Sequence, residues 1–293
     1  MQSSLRDIGE DAALFEEKNF VDRAEAIDFI DFHLIQRIEG VLDEDGPEQS
    51  LEILKQSAGK IKRQLEDVDT QLFIACREKI GTGVYPGSSF IQMVNTHLGA
   101  DATDGGRPDA IGYDHLDAFI NGVLSDQAMP AATLEPGSEM VFFQKTPARI
   151  IFQLLELAQP TQNDVFFDLG SGLGQVAILA NLISGVPARG IEYEPAYYNY
   201  AKDCALRLNL ADVEFVNADA RWGDYTDGTI FFMYTPFEGR MLQDMLDVLQ
   251  GEAQKRRIRI FTYGPCSPAV GRQRWLSCVN GRADDPYKLY EFH

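Results

Sequence analysis

Residues 164–181, DVFFDLGSGLGQVAILAN, constrain the fold of this chain more than any other stretch. An apolar run with β propensity, 165–167, ends at Asp168, and a turn with three glycines follows. From Gln175 the apolar residues recur at helical spacing. The pattern predicts a strand, a glycine turn and a helix N-terminus, where a ligand can approach the backbone and its free N–H groups.

The spacing of the glycines bears on the kind of ligand. A dinucleotide-binding turn has the pattern G-x-G-x-x-G, which would place a glycine at position 175, where this chain has Gln175. Asp168 would repel a pyrophosphate and would suit a cation, such as the ammonium of an amino acid. An NAD-dependent oxidoreductase is therefore disfavoured, and nicotinamide binding would revive it. A glycine turn without any ligand also stays open.

Asp168–Gly174 (DLGSGLG) resembles the first motif of class I S-adenosylmethionine (SAM)-dependent methyltransferases. The resemblance implies an α/β fold with a Rossmann-like seven-stranded sheet, in the order 3-2-1-4-5-7-6, and SAM as cofactor. Within that class, Asp168–Val176 together with Gly190-Ile191-Glu192 and Thr146 is most similar to the non-SET histone-lysine methyltransferases called disruptors of telomeric silencing. The similarity covers roughly residues 139–293.

Two departures from that branch are visible in the sequence. After the predicted fourth strand the chain has Tyr234-Thr235 where the silencing disruptors carry an Asn pair. The basic nucleosome-binding segments of that branch are also missing from this acidic chain. Both departures concern the acceptor, so methyl transfer is still expected, while histones are not implied as the substrate.

Further candidate site residues follow the predicted strands. Glu192 ends the second strand about twenty residues after the glycine turn, where a nucleotide site needs an acceptor for ribose hydroxyls. Glu194, its neighbour, reads as a first-turn helix carboxylate. The resemblance brings Asp219 near the adenine amino group, and a plain helix cap fits that residue equally well. The predicted cofactor-binding residues are Thr146, Asp168, Gly170, Ser171, Gly172, Gly174, Gln175, Glu192, Asp219 and Ala220.

Residues before the first helix of the sheet region and after its fourth strand complete the predicted site. Thr146 precedes Pro147 and is expected to cap a helix over 147–158, while its hydroxyl could also bond the cofactor's carboxylate. Tyr234 and Thr235 are the predicted catalytic pair. Tyr234 could wall the acceptor pocket, bond the acceptor, or only pack on the cofactor. The histidines and cysteines lack zinc-like spacing, so no metal site is predicted.

The charge balance bears on partners and acceptor. The chain has 45 acidic against 26 basic residues and a net charge of −19, which disfavours nucleic acid as a partner. An acidic field attracts cations, so a protein lysine or a small amine is the expected acceptor. The scattered cysteines and the lack of a signal-peptide pattern predict a cytoplasmic protein. No apolar run is long enough for a membrane span.

The chain divides into a predicted helical region, 1–135, and a predicted SAM-binding methyltransferase domain, 136–293. Apolar residues from Leu51 to Ala75 form a heptad seam that could pack within the chain as a helical hairpin or form a homodimer, and the hairpin is favoured. Residues 274–279 and 287–293 are expected to form a closing antiparallel hairpin. The predicted function is methyl transfer. The alternative is a non-catalytic SAM-binding module that recruits a partner through its helical region.

Overall fold

A computed structural model describes residues 2–45, 49–83, 87–100, 102–103, 112–135 and 137–293. The described part contains a six-stranded sheet in the order β3-β2-β1-β4-β5-β6. β6 runs antiparallel to β5, and every other pair is parallel. The strands are β1 (Phe166–Leu169), β2 (Ala188–Glu192), β3 (Val213–Asn217), β4 (Ile230–Tyr234), β5 (Arg259–Tyr263) and β6 (Tyr290–Phe292).

Helices precede the sheet and connect its strands. A π-helix, Phe29–Ile35, joins two of them, and 3-10 turns lie at Ala12–Phe15 and Ala220–Trp222. The α-helices are α1 (Gln2–Glu10), α2 (Phe20–Asp28), α3 (Gln36–Asp45), α4 (Gln49–Gly81), α5 (Ser88–Leu98), α6 (His115–Leu124), α7 (Ala148–Ala158), α8 (Gln175–Ser184), α9 (Pro195–Arg207), α10 (Gly239–Ala253) and α11 (Ser267–Val270).

Both faces of the sheet are covered by helices. Adjacent side chains of a strand point to opposite faces: Phe166 joins a cluster with α7, α8 and α9, whereas Phe167 joins one with α10. The central strands are therefore apolar on both sides, as a buried parallel sheet requires. The arrangement confirms the predicted Rossmann-like α/β fold.

The predicted strand count of seven is wrong, because the described residues form six strands. The segment predicted as a strand, residues 274–279, is reduced to one bridge between Cys278 and Phe292. Hydrogen bonds also join this segment to residues 291–293: Ser277 and His293 exchange two backbone bonds, and the Val279 N–H donates to the Glu291 carbonyl. A turn at residues 274–275 and a bend at 279–280 leave too few extended residues for a ladder. The segment still lies outside β6, where the expected order places the sixth strand.

The heptad seam of α4 packs within the chain. Ala58, Leu65 and Leu72 are buried in it, and Ala58 and Leu65 pack with Ile30 and Leu34 of the π-helix. This confirms the favoured intrachain hairpin. The π-helix between α2 and α3 was not predicted, because apolar spacing alone does not distinguish one extra residue per turn. Gly46 and Pro47, the expected helix breakers, lie outside the described residues.

One hydrophobic core crosses the predicted boundary at residue 135. Phe90 of α5 and Phe119 of α6 belong to the same buried cluster as Ile151 of α7 and Ile178 of α8. The helices before the sheet therefore share their core with the sheet's own helices. Within the part of the chain that the structure describes, no helix is both long and apolar enough to cross a membrane.

Candidate functional site

The glycine turn lies at the carboxyl edge of the sheet, between β1 and α8. Gly170 and Gly172 have φ values of +79° and +52°, in the left-handed region that favours glycine. A Cβ on Gly170 would lie 2.4 Å from Cβ of Pro236, and one on Gly172 would lie 2.1 Å from a ring carbon of Phe143. The turn thus lies directly beneath two chain segments, one following β4 and one preceding α7.

Two neighbouring cavities open at this edge, and they share Phe143, Gln144, Gly170 and Tyr234 as walls. The larger, about 200 Å³, reaches the ends of β2, β3 and β4; the smaller, about 30 Å³, reaches the start of α8. Of the twelve residues predicted for the site, Gly172 and Gly174 line neither cavity. Glu192, Asp219, Ala220 and Thr235 line the larger cavity, Thr146, Asp168, Ser171 and Gln175 the smaller, and Gly170 and Tyr234 both.

Asp168 is a buried carboxyl with no counter-ion in the described structure. Its side chain is 3% exposed, and no described residue donates a hydrogen bond to it or pairs with it. Burial, reinforced by the negative charge of Glu192, raises the pKa of Asp168 to about 8. A buried carboxyl of this kind is favourably neutralised by a cationic ligand group.

Ser171 and Gln175 add three buried polar atoms to the smaller cavity. The Ser171 hydroxyl and both polar atoms of the Gln175 amide form no hydrogen bond. Leaving such atoms unpaired costs about 1–3 kcal/mol each, and buried polar groups are nearly always satisfied. This end of the site is therefore built for a polar ligand that supplies both donors and acceptors.

Glu192 links the glycine turn to the next loop. Its carboxylate accepts hydrogen bonds from the backbone N–H of Gly172 at 2.7 Å and from that of Glu194 at 2.8 Å. Burial raises the pKa of Glu192 despite these bonds. The carboxylate lines the larger cavity, where it could accept hydrogen bonds from vicinal hydroxyls.

Asp219 is engaged with Arg221. Its carboxylate accepts a hydrogen bond from the Arg221 backbone at 3.0 Å, which caps the 3-10 turn, and pairs with the guanidinium at 2.7 Å. The hydrogen bonds from Arg221 lower the pKa of Asp219. The capping interpretation is therefore correct, and the same residue also lines the larger cavity.

Thr146 does not cap α7, contrary to the sequence-based expectation. The N-cap is Pro147, and the Ala148 N–H instead donates at 2.7 Å to the Asp117 carboxylate of α6. The cap comes from a residue 31 positions earlier, so no local pattern could have indicated it. The buried Thr146 side chain lines the smaller cavity instead.

Tyr234 and Thr235 have different surroundings. Burial, together with the nearby phenols of Tyr263, Tyr113 and Tyr287, raises the pKa of Tyr234 to about 12. Its ring packs against that of Tyr263 at a centroid distance of 5.0 Å. The Thr235 hydroxyl accepts from the Cys266 N–H at 3.0 Å and donates to the Tyr263 carbonyl at 3.4 Å. That hydroxyl is therefore used within the protein, and its residue has a φ of +39°, unusual for a β-branched side chain.

The segment just before α7 lines the larger cavity; we call residues 137–146 the strap. Its Glu139 carboxylate accepts hydrogen bonds from the N–H groups of Arg240 and Met241 at the start of α10. Just before the strap, Thr133 and Leu134 donate to Glu194 at 2.5 and 2.8 Å. The partners are separated by 60 to 102 positions, so only the three-dimensional structure brings them together.

Comparison with known proteins places the chain among methyltransferase-like sequences. Residues 126–215 match the family model described as "Histone methylation protein DOT1". This stretch includes the whole strap, the glycine turn and Glu192, and is less than a third of the chain. No curated protein sequence matches the chain. The chain therefore resembles a class I methyltransferase of the Dot1 kind over residues 126–215.

Solved structures resemble the sheet region at low identity. An RNA methyltransferase from Salinibacter ruber, in complex with S-adenosyl-L-homocysteine, is 24% identical over 51% of this chain and 91% of its own, with a TM-score of 0.40. A precorrin-6y C5,15-methyltransferase from Geobacter metallireducens is 19% identical over 52% and 91%, also with a TM-score of 0.40. Scores this low carry no argument about the reaction. Among the described residues, no group of three or more His, Cys, Asp or Glu side chains could hold a metal ion.

Proposed function

We propose that this protein is a SAM-dependent methyltransferase whose acceptor is an amine, most specifically a lysine of another protein. One observation carries the proposal. Beside the glycine turn, the buried Asp168 carboxyl has no counter-ion, and polar atoms of Ser171 and Gln175 have no hydrogen-bond partner. Such a cavity requires a ligand with a cation and several hydrogen-bonding groups. The match of residues 126–215 to a histone methylation family agrees with it.

The residues present fit an amino-acid tail joined to a nucleoside. Asp168 would hold the ammonium of the tail, and Thr146 and Gln175 would bind its carboxylate in the smaller cavity. In the larger cavity Glu192 would accept from the ribose hydroxyls, and Ala220 and the paired Asp219 would border the base. When bound, SAM supplies a methyl group that is already electrophilic, so the protein chiefly has to orient the acceptor and exclude water.

The tyrosines at the carboxyl ends of β4 and β5 suit an amine acceptor. Tyr234 and Tyr263 stack against each other, and Tyr113 and Tyr287 are more than half exposed beside them. Aromatic faces attract ammonium groups, by about 0.5–2 kcal/mol per contact depending on exposure. Because the pKa of Tyr234 is about 12, its hydroxyl stays protonated at neutral pH and does not act as a base. The proton of an ammonium acceptor would leave to water.

The test is transfer of label from methyl-tritiated SAM into fractionated lysate, alongside calorimetric titration with S-adenosyl-L-homocysteine and NAD. We expect the protein to bind S-adenosyl-L-homocysteine and not NAD. We also expect the label to be incorporated into protein and to be recovered as methyl-lysine after hydrolysis. Label only in RNA or DNA would overturn the amine acceptor. Binding without transfer to any fraction would indicate a non-catalytic SAM-binding module.

A further inference from the structure

We infer that an open groove in the helical region is a docking surface for a basic segment of the acceptor protein. The groove lies between α2, α4 and the start of α6, and has a volume of about 810 Å³. Its occupant would be a lysine- and arginine-rich stretch with some apolar side chains. The inference rests on the proposed methyl transfer, because it identifies what delivers the acceptor to the site.

The groove has an apolar floor and an acidic rim. Phe20, Ile27 and Phe73 contribute its apolar surface. Five of the fourteen residues that line it are carboxylates, and none is Lys or Arg: the five are Asp28, Glu66, Asp69, Asp114 and Asp117. This composition matches a polypeptide that carries positive charges and buries apolar side chains, and it repels anions.

Not all five carboxylates are free to bind a partner. Asp69 already pairs with the buried Arg23 at 2.6 Å, and Asp117 caps α7. Asp28 and Glu66 are exposed, with Glu66 in a loose pair with Lys62 at 3.5 Å. Exposed ion pairs are weak, so the carboxylates of Asp28 and Glu66 remain available to a basic partner, and their removal should weaken its binding.

The wider charge distribution favours the same side of the molecule. Residues 1–135 contain 26 acidic and 11 basic residues, whereas residues 136–293 contain 19 and 15. Residues 1–135, which contain the groove, therefore carry a net charge of −15, out of −19 for the whole chain. Such an asymmetry steers a basic partner toward that part and raises its association rate.

The groove leads to the candidate site through Lys145. Tyr113 lines the groove and donates its hydroxyl to the Lys145 carbonyl at 2.8 Å. Asn121, which also lines the groove, accepts from Lys145 Nζ at 2.7 Å. Lys145 in turn lines the smaller cavity next to Thr146. A segment in the groove would thus place a neighbouring lysine near Tyr234.

A second copy of this chain is a poor occupant. Its densest basic cluster is Lys255–Arg259, and three of those cations are already paired: Lys255 and Arg256 with Glu252, and Arg259 with Glu291. A basic segment of a different protein fits the charge of the groove better. Self-association through the groove is the alternative that the experiment must distinguish.

The experiment measures binding of a fluorescein-labelled peptide of lysine and leucine residues to the full chain by anisotropy. Thr70 is exposed and lines the groove, so Thr70→Arg places a long cation inside it. Gln71→Arg puts the same side chain on the same helix, at an exposed position outside the groove, and is the matched control. We expect at least tenfold weaker binding for Thr70→Arg, near wild-type binding for Gln71→Arg, and weakening as salt rises from about 50 to about 200 mM.

A second pair of variants tests the acids themselves. Removing Asp28 and Glu66 as D28N/E66Q should weaken peptide binding about five- to tenfold. The control E25Q/D67N removes two exposed carboxylates from the same helices outside the groove and should have a smaller effect. Equal losses in the two pairs would reduce the interaction to net charge and overturn the docking site.

Titration with S-adenosyl-L-homocysteine separates the two proposals. If the wild type binds S-adenosyl-L-homocysteine but Thr70→Arg binds the peptide normally, the groove is not the docking site. The proposed methyl transfer would be unaffected by that result. Wild type that binds the peptide but no cofactor product overturns the proposed function. The proposal of a basic partner is also overturned if the wild type does not bind the peptide. The same holds if the wild type dimerises and Thr70→Arg abolishes the dimer.

Discussion

Single residues at the carboxyl edge of the sheet carry polar atoms that the protein itself leaves without partners. Asp168, Ser171 and Gln175 all face one small cavity. Thr235 is the contrary case, because its hydroxyl is fully used in joining β4 to the turn after β5. Residues with unpaired polar atoms are therefore candidates for ligand contact, whereas a residue such as Thr235 shapes the wall of the cavity.

Asp168→Asn should weaken binding of S-adenosyl-L-homocysteine by about 10- to 100-fold, since a charge-assisted hydrogen bond contributes about 1.5–3 kcal/mol. In the absence of ligand, Asp168→Asn should be more stable to unfolding than the wild type at neutral pH. The raised pKa means that the folded state binds the proton more tightly, so the Asp168 carboxyl lowers stability as pH rises from about 4 toward about 8. Calorimetry and thermal unfolding at several pH values measure both effects.

Binding of S-adenosyl-L-homocysteine should release a proton from the Asp168 carboxyl. A cationic group beside Asp168 favours its charged form, so affinity should increase between about pH 5 and pH 8 and then level off. The binding enthalpy should vary with the ionisation enthalpy of the buffer. Proton release that persists in Asp168→Asn would contradict this assignment.

Thr235→Ala should destabilise the protein by about 1–3 kcal/mol, because the buried Cys266 N–H loses its acceptor while the left-handed backbone remains. Affinity for S-adenosyl-L-homocysteine should change little. Thr226→Ala, which removes an exposed threonine hydroxyl, is the control in the same urea titrations. A large loss of affinity without loss of stability would restore Thr235 as a residue that contacts the ligand.

At the scale of elements, the strap and the helix N-termini act together. Glu194 caps α9 and holds the chain just before the strap, while Glu139 of the strap binds the start of α10. The two anchored helices follow β2 and β4, which supply the walls of the larger cavity. The position of the strap is thus set by contacts at the N-termini of the helices that follow β2 and β4.

Glu194→Gln should loosen the strap and weaken S-adenosyl-L-homocysteine binding about tenfold, because an amide replaces the charge that accepts three hydrogen bonds. Hydrogen exchange over residues 133–146 should quicken, while exchange in β1 and β4 should not. Glu214→Gln, at an exposed position on β3, is the matched control. Slow exchange in the strap of Glu194→Gln would show that other contacts hold it.

The pH dependence of this anchor has a definite sign. Burial would raise the pKa of Glu194, but hydrogen bonds from Thr133, Ala196 and Leu134 outweigh it and lower the pKa to about 2. The stabilisation is therefore complete above the ordinary glutamate pKa and is lost only as pH falls toward about 2. Binding near neutral pH should not reflect titration of this residue.

Local patterns predicted the strands of the sheet well, most clearly β1 and β4, which are short apolar runs with clear ends. They failed where partners are distant. The cap of α7 by Asp117 and the anchors of the strap depend on residues far apart in sequence. The prediction of a strand at 274–279 failed for another reason: a turn at 274–275 and a bend at 279 left too few extended residues for pairing.

Considered as a whole, the molecule shares one core between its helical region and its sheet. The boundary at residue 135 remains a prediction, and the buried cluster that joins α4, α5 and α6 to α7 and α8 crosses it. Sequence periodicity identified these helices but could not indicate which neighbours their apolar faces contact. The sequence predicted a region appended to the sheet, whereas the packing shows a common core.

Deletion of residues 1–128 should therefore unfold the protein. The truncation would expose the faces of α7 and α8 that pack against Phe90 and Phe119. The full chain should unfold in a single transition seen by both circular dichroism and fluorescence. A soluble fragment 129–293 that binds S-adenosyl-L-homocysteine would refute the shared core as a requirement for folding.

The common core also limits how such a protein can change during evolution. A recognition part that folds separately can be exchanged between relatives by recombination, whereas one that completes the catalytic part's interior cannot be removed without loss of the whole. New acceptors should therefore arise by gradual substitution on outward positions, such as Thr70 at the groove, while inward positions such as Phe119 stay matched to the sheet helices.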